Sequence, residues 1–172
     1  LDTLVGSNWI VSASNDATFT CEIDDISIWN GTTTGATWTW DYSATRGVFG
    51  GGVGLSNIMD YITIATTGNA TDFGDLTVAR GYLSAVSSST RGVFGGGTTG
   101  TVSNVMEYIT IETAGNATDF GDLTVAKDQK AGVSSSTRGV FGGGTTGTVS
   151  NVMEYITIET AGNATDFGDL TV

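Results

Sequence analysis

The heptapeptide RGVFGGG occurs three times, at residues 46–52, 91–97 and 138–144. Each copy is followed by a loop, then by NIMDYITI or NVMEYITI, and then by GNATDFGDLTV, always in this order. The copies begin 45 and 47 residues apart, and residues 86–125 are identical to residues 133–172. Regular self-similarity at this period predicts an array of similar units, each of which contacts its neighbours.

Each unit contains short segments that are typical of β-strands. Thr, Ser, Val, Ile and aromatic residues fill the spaces between 26 glycines, and proline is absent. No segment of about 11 residues keeps the apolar spacing of a helix, because glycine or β-branched residues interrupt it. Four strands in 45–47 residues match one β-propeller blade, so we predict an all-β fold. In the second unit the predicted strands are residues 82–89, 90–96, 104–111 and 118–125.

The strands are apolar on both faces. Val93 and Phe94 are adjacent, so their side chains point to opposite sides of one strand. In NVMEYITI, the side chains of Val105 and Ile109 likewise point to the face opposite that of Met106 and Tyr108. Strands of this kind must be covered on both sides. We therefore expect each sheet to lie between two others, with Tyr61, Tyr108 and Tyr155 buried between them.

A fixed order of residues recurs in the units: a lead Arg or Lys, a Gly doublet, N-x-x-(E/D)-Y and a late aromatic residue. This order resembles a kelch repeat, although Phe stands where the family usually has Trp and the loops are short. The variant with GNATDFGDLT resembles the kelch-like repeats in structural proteins of marine and cyanobacterial phages. The resemblance covers about 130 residues and implies kelch-like β-propeller blades with a structural or attachment role. The matching residues are Arg80, Gly95, Gly96, Asn104, Glu107, Tyr108 and Phe120, and then Lys127, Gly142, Gly143, Asn151, Glu154, Tyr155 and Phe167.

The repeats divide the chain into repeat 1 (36–79), repeat 2 (80–126) and repeat 3 (127–172). ATWTWDYSA at residues 36–44 is the predicted first strand of repeat 1, with an aromatic face that covers the start of the array. Residues 1–35 are predicted to be an N-terminal β segment, either the end of a preceding jelly-roll-like domain or a degenerate blade. The chain starts on Leu1 without a signal-peptide pattern and stops on Val172, so we expect it to be part of a longer array.

Composition excludes several functional classes. The net charge of −12, from 18 acidic and 6 basic residues, argues against binding to nucleic acid and to anionic membranes. No apolar run is long enough to span a membrane. Histidine is absent and Cys21 is the single cysteine, which argues against zinc, copper and haem sites and against His-dependent nucleophiles. We therefore predict no enzymatic activity and no cofactor.

Three pairs of aspartates are weak candidates for calcium ligands. In an extended strand, residues three apart lie on opposite faces, so each pair could share an ion only if the intervening glycine makes a bulge. The pairs also lack the alternating acidic pattern of calcium loops. Structural roles in turns, or pairing with Arg, are favoured. The candidates are Asp72, Asp75, Asp119, Asp122, Asp166 and Asp169.

The arginines that open the heptapeptides, Arg46, Arg91 and Arg138, hold half of all the cations. We expect them to pair with acids of their own or the adjacent blade, such as Asp60, Glu107, Glu154 or the aspartate pairs. The glycine runs that follow lack the lysine and helix of a phosphate loop. Glycine there is expected to allow close approach of neighbouring backbones.

Four N-x-T triplets have two readings. In a secreted eukaryotic protein they would be glycosylation acceptors, whereas in a phage protein they indicate Asx turns, which we favour. The tryptophans Trp29, Trp38 and Trp40 could stack on sugars, although aromatic residues in strands more often cover a core. The triplets begin at Asn30, Asn69, Asn116 and Asn163.

These observations favour a non-enzymatic structural or attachment module of a viral tail, fibre or other extracellular appendage. The expected partners are further repeats or other copies of the chain, with other virion proteins or cell-surface glycans as further candidates. One alternative is a carbohydrate-binding or polysaccharide-degrading propeller domain. Another is a subunit of a self-assembling extracellular filament.

Overall fold

The computed structural model describes residues 45–171, and these residues form eleven β-strands and no helix. The all-β prediction is therefore confirmed for this part of the chain. The predictions for residues 1–35, for the strand at 36–44, for Asn30 and for the tryptophans fall outside the described residues. The strands are β1 Arg46–Gly50, β2 Ser56–Thr63, β3 Thr71–Arg80, β4 Ser84–Ser87, β5 Arg91–Gly95, β6 Val105–Thr110, β7 Thr118–Asp122, β8 Ala131–Ser134, β9 Arg138–Gly142, β10 Val152–Thr157 and β11 Thr165–Asp169.

The strands form three antiparallel sheets in which spatial order follows chain order. The first sheet contains β1–β3, the second contains β4–β7 and the third contains β8–β11. Each of the four segments predicted for repeat 2 contains one strand of the second sheet, within narrower bounds. Across residues 45–171 the sheets do not close into a barrel or a propeller.

The last strand of each sheet carries a bulge. In the second sheet Met106 lies opposite Gly121 and Glu107 lies opposite Asp119, so Phe120 is the extra residue. The bulge turns the strand so that Phe120 and Leu123, three positions apart, both enter the same apolar cluster. The sequence allows residues three apart to share a face only if the intervening glycine makes a bulge, and that condition is met here, because Gly121, with φ of +133°, follows the extra residue.

Two apolar clusters lie between consecutive sheets. Val93 belongs to the cluster between the second and third sheets, whereas its neighbour Phe94 belongs to the cluster between the first and second. The prediction that these strands are covered on both faces is thus confirmed for the second sheet. The clusters contain Met59, Phe73, Leu76, Phe94, Ile109 and Ala117, and then Val86, Val93, Met106, Phe120, Leu123, Phe141, Ile156, Ile158 and Ala164.

Each sheet therefore has two different faces. Its outgoing face, which packs on the following sheet, carries Met106, Phe120 and Leu123 in the second sheet. Its incoming face, which packs on the preceding sheet, carries Phe94 and Ile109 in the same sheet. The third sheet presents its own incoming face, including Phe141 and Ile156, to the second.

Tyr61, Tyr108 and Tyr155 are half-buried, so the prediction that they lie fully buried between sheets is wrong. Each ring packs edge-on against a Phe ring of its own sheet, with centroids 6.0–6.1 Å apart. An Arg guanidinium also lies over each tyrosine ring. The tyrosines thus lie at the rim of each interface, where the arginine takes the place of an apolar neighbour.

Candidate functional site

In the second and third sheets, the GNA loop that precedes the last strand binds the bulged strand of the preceding sheet. The Gly115 N–H donates to Phe73 O (2.7 Å), and the Ala117 N–H donates to Asp75 O (2.8 Å). Between them the Asp75 N–H donates to Oδ1 of Asn116 (3.0 Å). We term this three-bond contact the loop clasp. It recurs between the second and third sheets, with Gly162 on Phe120, Ala164 on Asp122 and Asp122 on Asn163.

Glycine is required where the clasp meets the bulge. A Cβ atom on Gly74 would lie 2.5 Å from the Gly115 carbonyl oxygen, and one on Gly121 would lie 2.5 Å from that of Gly162. Both glycines also have a positive φ, which L side chains rarely adopt. GNATDFGD thus contains both halves of the clasp: GNA faces backwards and FGD faces forwards.

The asparagines of the N-x-T triplets serve this contact. Asn116 and Asn163 accept hydrogen bonds from the preceding sheet. The favoured Asx-turn interpretation missed that partner, because an Asx turn bonds within its own loop. Asn69 has no such bond within residues 45–171. The glycosylation interpretation stays untested.

Two buried ion pairs hold the connections between sheets. Arg80, the last residue of β3, has Nη2 2.8 Å from Oε2 of Glu107, out of line for a hydrogen bond, so the contact is one between charges. Nη1 of Arg80 donates to the carbonyls of Gly96 and Val105. The Thr77 hydroxyl donates to the other oxygen of Glu107. Both charged side chains are fully buried, which is tolerated only when each charge has its partner.

The second pair repeats this arrangement. Nζ of Lys127, in the connection after β7, lies 3.5 Å from Oε2 of Glu154 and donates to Val152 O. The Thr124 hydroxyl and the Val125 N–H donate to Oε1 of Glu154. Lys127 and Glu154 are also fully buried.

Two arginines of the heptapeptides, Arg46 and Arg91, form partly exposed ion pairs at the rims of the two interfaces. The guanidinium carbon of Arg46 lies 4.5 Å from the centroid of Tyr61, and its Nε lies 3.7 Å from Glu112. Arg91 likewise stacks on Tyr108 and pairs with Glu159 at 3.8 Å. Each arginine therefore joins a tyrosine of its own sheet to a glutamate of the next unit.

The prediction that these arginines pair with an adjacent acid is right for two of them, but the named partners are wrong. Glu107 and Glu154 bind the connecting cations instead, because they point into the interior. The glutamates that reach the rim lie five residues later, just past the end of the strand. Arg138 stacks on Tyr155 at 4.6 Å and has no carboxylate partner within residues 45–171.

Glu159 accepts hydrogen bonds at the rim of the interface between the second and third sheets. The Ser88 hydroxyl donates to it and holds the pKa of this carboxyl below its ordinary value. Burial acts in the opposite direction and is the second-largest effect, whereas the Thr90 hydroxyl (2.7 Å) and the charge of Arg91 also lower the pKa. Ser88 and Thr90 lie in the second sheet and Glu159 in the third, so these bonds also cross the interface.

Lys130 is a buried cation that the sequence did not single out. Its Nζ donates to the Gly95 carbonyl (2.6 Å) of the preceding sheet and lies over the Phe141 ring. The pKa of Lys130 is lowered to about 7, mainly by burial and then by the charges of Lys127 and Arg80. Leu83 occupies the equivalent position in repeat 2. The difference between Leu83 and Lys130 at equivalent positions is the feature of the sequence that could have identified this buried cation.

One aspartate of each of the first two pairs takes part in an interface between sheets through its backbone. Asp75 and Asp122 use their N–H and C=O groups in the two loop clasps. Across residues 45–171 no group of three or more His, Cys, Asp or Glu side chains lies close enough together to hold a metal ion. The calcium interpretation of Asp72, Asp75, Asp119, Asp122, Asp166 and Asp169 stays a prediction.

One open cleft of about 560 Å³ lies between the first and second sheets. Its lining is mostly glycine and apolar side chains, including Phe49, Leu83 and Phe94, and Asp60 is its one titratable group. The charged side chains described above lie instead at the junctions between sheets. Their geometry is suited to holding sheets in register.

No helix of the described residues is long and apolar enough to cross a membrane. A scan against protein-family models gives no match, and a search of curated protein sequences gives no significant match.

Proposed function

We propose that this chain is a non-enzymatic structural or attachment module of a viral tail, a fibre or another extracellular appendage. The observation that carries the proposal is the placement of the cations. All six basic side chains lie in the described residues, and five of them bind a partner at a junction between consecutive sheets. The five are Arg46, Arg80, Arg91, Lys127 and Lys130.

An enzyme site brings titratable groups together in a cleft and perturbs their pKa values for chemistry. Here the charged groups are distributed along the array and repeat with it, from Arg80–Glu107 to Lys127–Glu154. Such periodic use supports a mechanical role, in which every interface is stabilised in the same way. The resemblance to phage structural proteins supports the location on a virion or another extracellular surface.

We further propose that the sheets are kelch-like propeller blades. The second and third sheets each have four antiparallel strands in chain order, and consecutive sheets pack face to face, as blades do. A propeller closes with four to eight blades, so the three sheets would need neighbours. Cryo-electron microscopy of the natural assembly distinguishes a closed ring from an open stack.

The function is tested by localisation. Antibodies raised against the chain and read by immunogold electron microscopy should label tails, fibres or surface appendages in the source culture. Label confined to the cell interior would overturn the proposal. A glycan array probed with the same protein separates attachment through sugars from a purely structural role, and loss of polysaccharide viscosity would show an enzyme instead.

A further inference from the structure

The third sheet ends in a strand whose side chains are covered in the other two sheets. Phe120 is 2% exposed, whereas the equivalent Phe167 is 48% exposed. Leu123 is 2% exposed and Leu170 is 42% exposed. Strands β7 and β11 have the same sequence, TDFGD, so the difference comes from the neighbour and not from the strand.

The polar half of the interface is also present and unmatched on β11. A Cβ on Gly168 would meet no atom within 4 Å, although its φ of +126° is close to that of the clasped Gly121. Within residues 45–171, Phe167 O and the Asp169 N–H have no counterpart of the bonds made by a GNA loop. Arg138 is stacked on its tyrosine in the pose of Arg91 but has no glutamate there.

The groups that would complete this face are given by the two interfaces already formed. A glutamate just past the third strand of the following sheet forms an ion pair with the stacked arginine, as Glu112 and Glu159 do. An asparagine in a GNA loop accepts from the bulged strand, as Asn116 and Asn163 do. Apolar side chains such as Phe141 and Ile156 cover the aromatic ring.

The first sheet has a GNA loop at residues 68–70 but lacks the rim glutamate on its own incoming face. Ala65 stands where repeats 2 and 3 have the rim glutamate, and Asp60 stands where they have the buried glutamate. A second copy of the chain that docked through its first sheet would therefore leave Arg138 without a carboxylate. Charge complementarity thus points to a partner of the repeat 2 and repeat 3 type.

We propose that the outgoing face of the third sheet, formed by Arg138, Tyr155, Phe167, Gly168 and Leu170, is a docking site for a β-sheet repeat that supplies a rim glutamate and a GNA loop. The recognition is by an Arg–Glu pair, the three bonds of a loop clasp and burial of Phe167 and Leu170. It does not depend on a viral or extracellular role.

The test extends the whole chain by appending a copy of residues 126–172 after Val172, which keeps the 47-residue register. Amide hydrogen exchange of β11 is then compared in the 172-residue and the extended proteins. We expect the Asp169 amide to exchange about tenfold or more slowly in the extended protein, because it gains a hydrogen bond and loses contact with water.

A matched control carries Glu159→Ala and Asn163→Ala in the appended copy alone, which removes the rim glutamate and the asparagine of the loop clasp. This control should lose most of the added protection of β11. Arg138→Ala should raise β11 exchange in the extended protein and leave it unchanged in the 172-residue protein, where the arginine has no carboxylate partner in the described part of the chain.

Three outcomes would overturn the proposal. One is unchanged β11 exchange on extension, including the case in which the appended copy stays unprotected and unfolded. Another is full protection by the control copy, which would show that the face accepts any apolar sheet. The third is protection of β11 in the unextended protein that increases with concentration, which would make a second copy the partner despite Ala65. A failure of the localisation experiment would affect none of these results.

Discussion

Glu107 and Glu154 are fully buried carboxylates, and each meets one fully buried cation. Repeat 2 uses Arg80 and repeat 3 uses Lys127 for the same task. Arg80 donates to two carbonyls where Lys127 donates to one, as expected for a guanidinium compared with an ammonium group. At this scale the stability of the array depends on pairing each buried charge.

Glu107→Ala leaves the charge of Arg80 buried without its partner. We expect the free energy of unfolding to fall by about 3–5 kcal/mol, measured by urea denaturation. The control is Glu112→Ala, which removes a rim carboxylate whose side chain is 49% exposed. That change should cost less than about 1 kcal/mol, because solvent screens exposed pairs. Equal costs for the two substitutions would contradict the buried pair.

Lys130 makes stability depend on pH. Its pKa is lowered to about 7 from an ordinary 10.5, so the unfolded chain binds more protons between these values. The free energy of unfolding should therefore rise with pH above about 7, by on the order of 1 kcal/mol per pH unit. Below about pH 7 the side chain is charged in both states, and the cost of burying its charge is at its full value.

Lys130→Leu, which copies Leu83 of repeat 2, should flatten this rise, as measured by urea denaturation at pH 6, 7, 8 and 9. Other charges near Lys130 are Lys127, Arg80, Glu154 and Asp128. Arg138→Leu is the control, because it removes a cation from the same sheet without a titration in this range. A slope that persists in Lys130→Leu would assign the pH dependence to another group.

The bulged strand and the GNA loop are the elements that set the distance between sheets. Three hydrogen bonds and a glycine hold the loop of one sheet on the strand of the preceding one. The loop glycines Gly115 and Gly162 place their carbonyls against the bulge, so no side chain fits between them. The clasp therefore determines how closely two sheets approach.

Gly121→Ala and Gly168→Ala are a matched pair of substitutions in identical strands. Both force Ala into a positive φ, but only the Cβ at position 121 would collide with the Gly162 carbonyl. We expect Gly121→Ala to cost about 1–3 kcal/mol more than Gly168→Ala in unfolding free energy, the range for overpacking. The measurement is urea denaturation of both variants. Equal costs would show that the clasp yields without strain.

Within residues 45–171 the three sheets form an array in which consecutive sheets pack on one another. Apolar clusters between sheets, flanked by the buried and rim ion pairs, supply the contacts along the array. Metal ligation has no evident part in these contacts, since within residues 45–171 no three acidic side chains lie close enough together to hold a metal ion.

EDTA is therefore expected to leave the thermal unfolding midpoint of the whole chain unchanged, measured by far-UV circular dichroism. Calcium needs about six to eight oxygen ligands, which one aspartate pair does not provide. Addition of magnesium at the same ionic strength controls for screening of the −12 net charge. A midpoint that falls with EDTA and recovers with calcium would revive the aspartate pairs as ligands.

The sequence by itself determined the strands, their order and their two apolar faces. These properties depend on alternation along a few residues, as Val93 and Phe94 show, and on the 45- and 47-residue spacing. The glycine runs of the heptapeptides were also predicted to permit close backbone approach, and Gly97 does so, since a Cβ there would lie 2.5 Å from the Gly81 carbonyl oxygen. Such features are local, because side-chain direction in a strand follows from position alone.

Only the tertiary structure decided which charges pair. Arg46 was expected to bind acids such as Glu107, but it binds Glu112, and Glu107 binds Arg80. Asn116 was assigned to its own turn, but it bonds to Asp75 of the preceding sheet. The partner of each group depends on how far one sheet is shifted and rotated on the next. Neither the strand period nor the repeat period specifies that offset, because it results from the bulge, the clasp and the packing of two faces together.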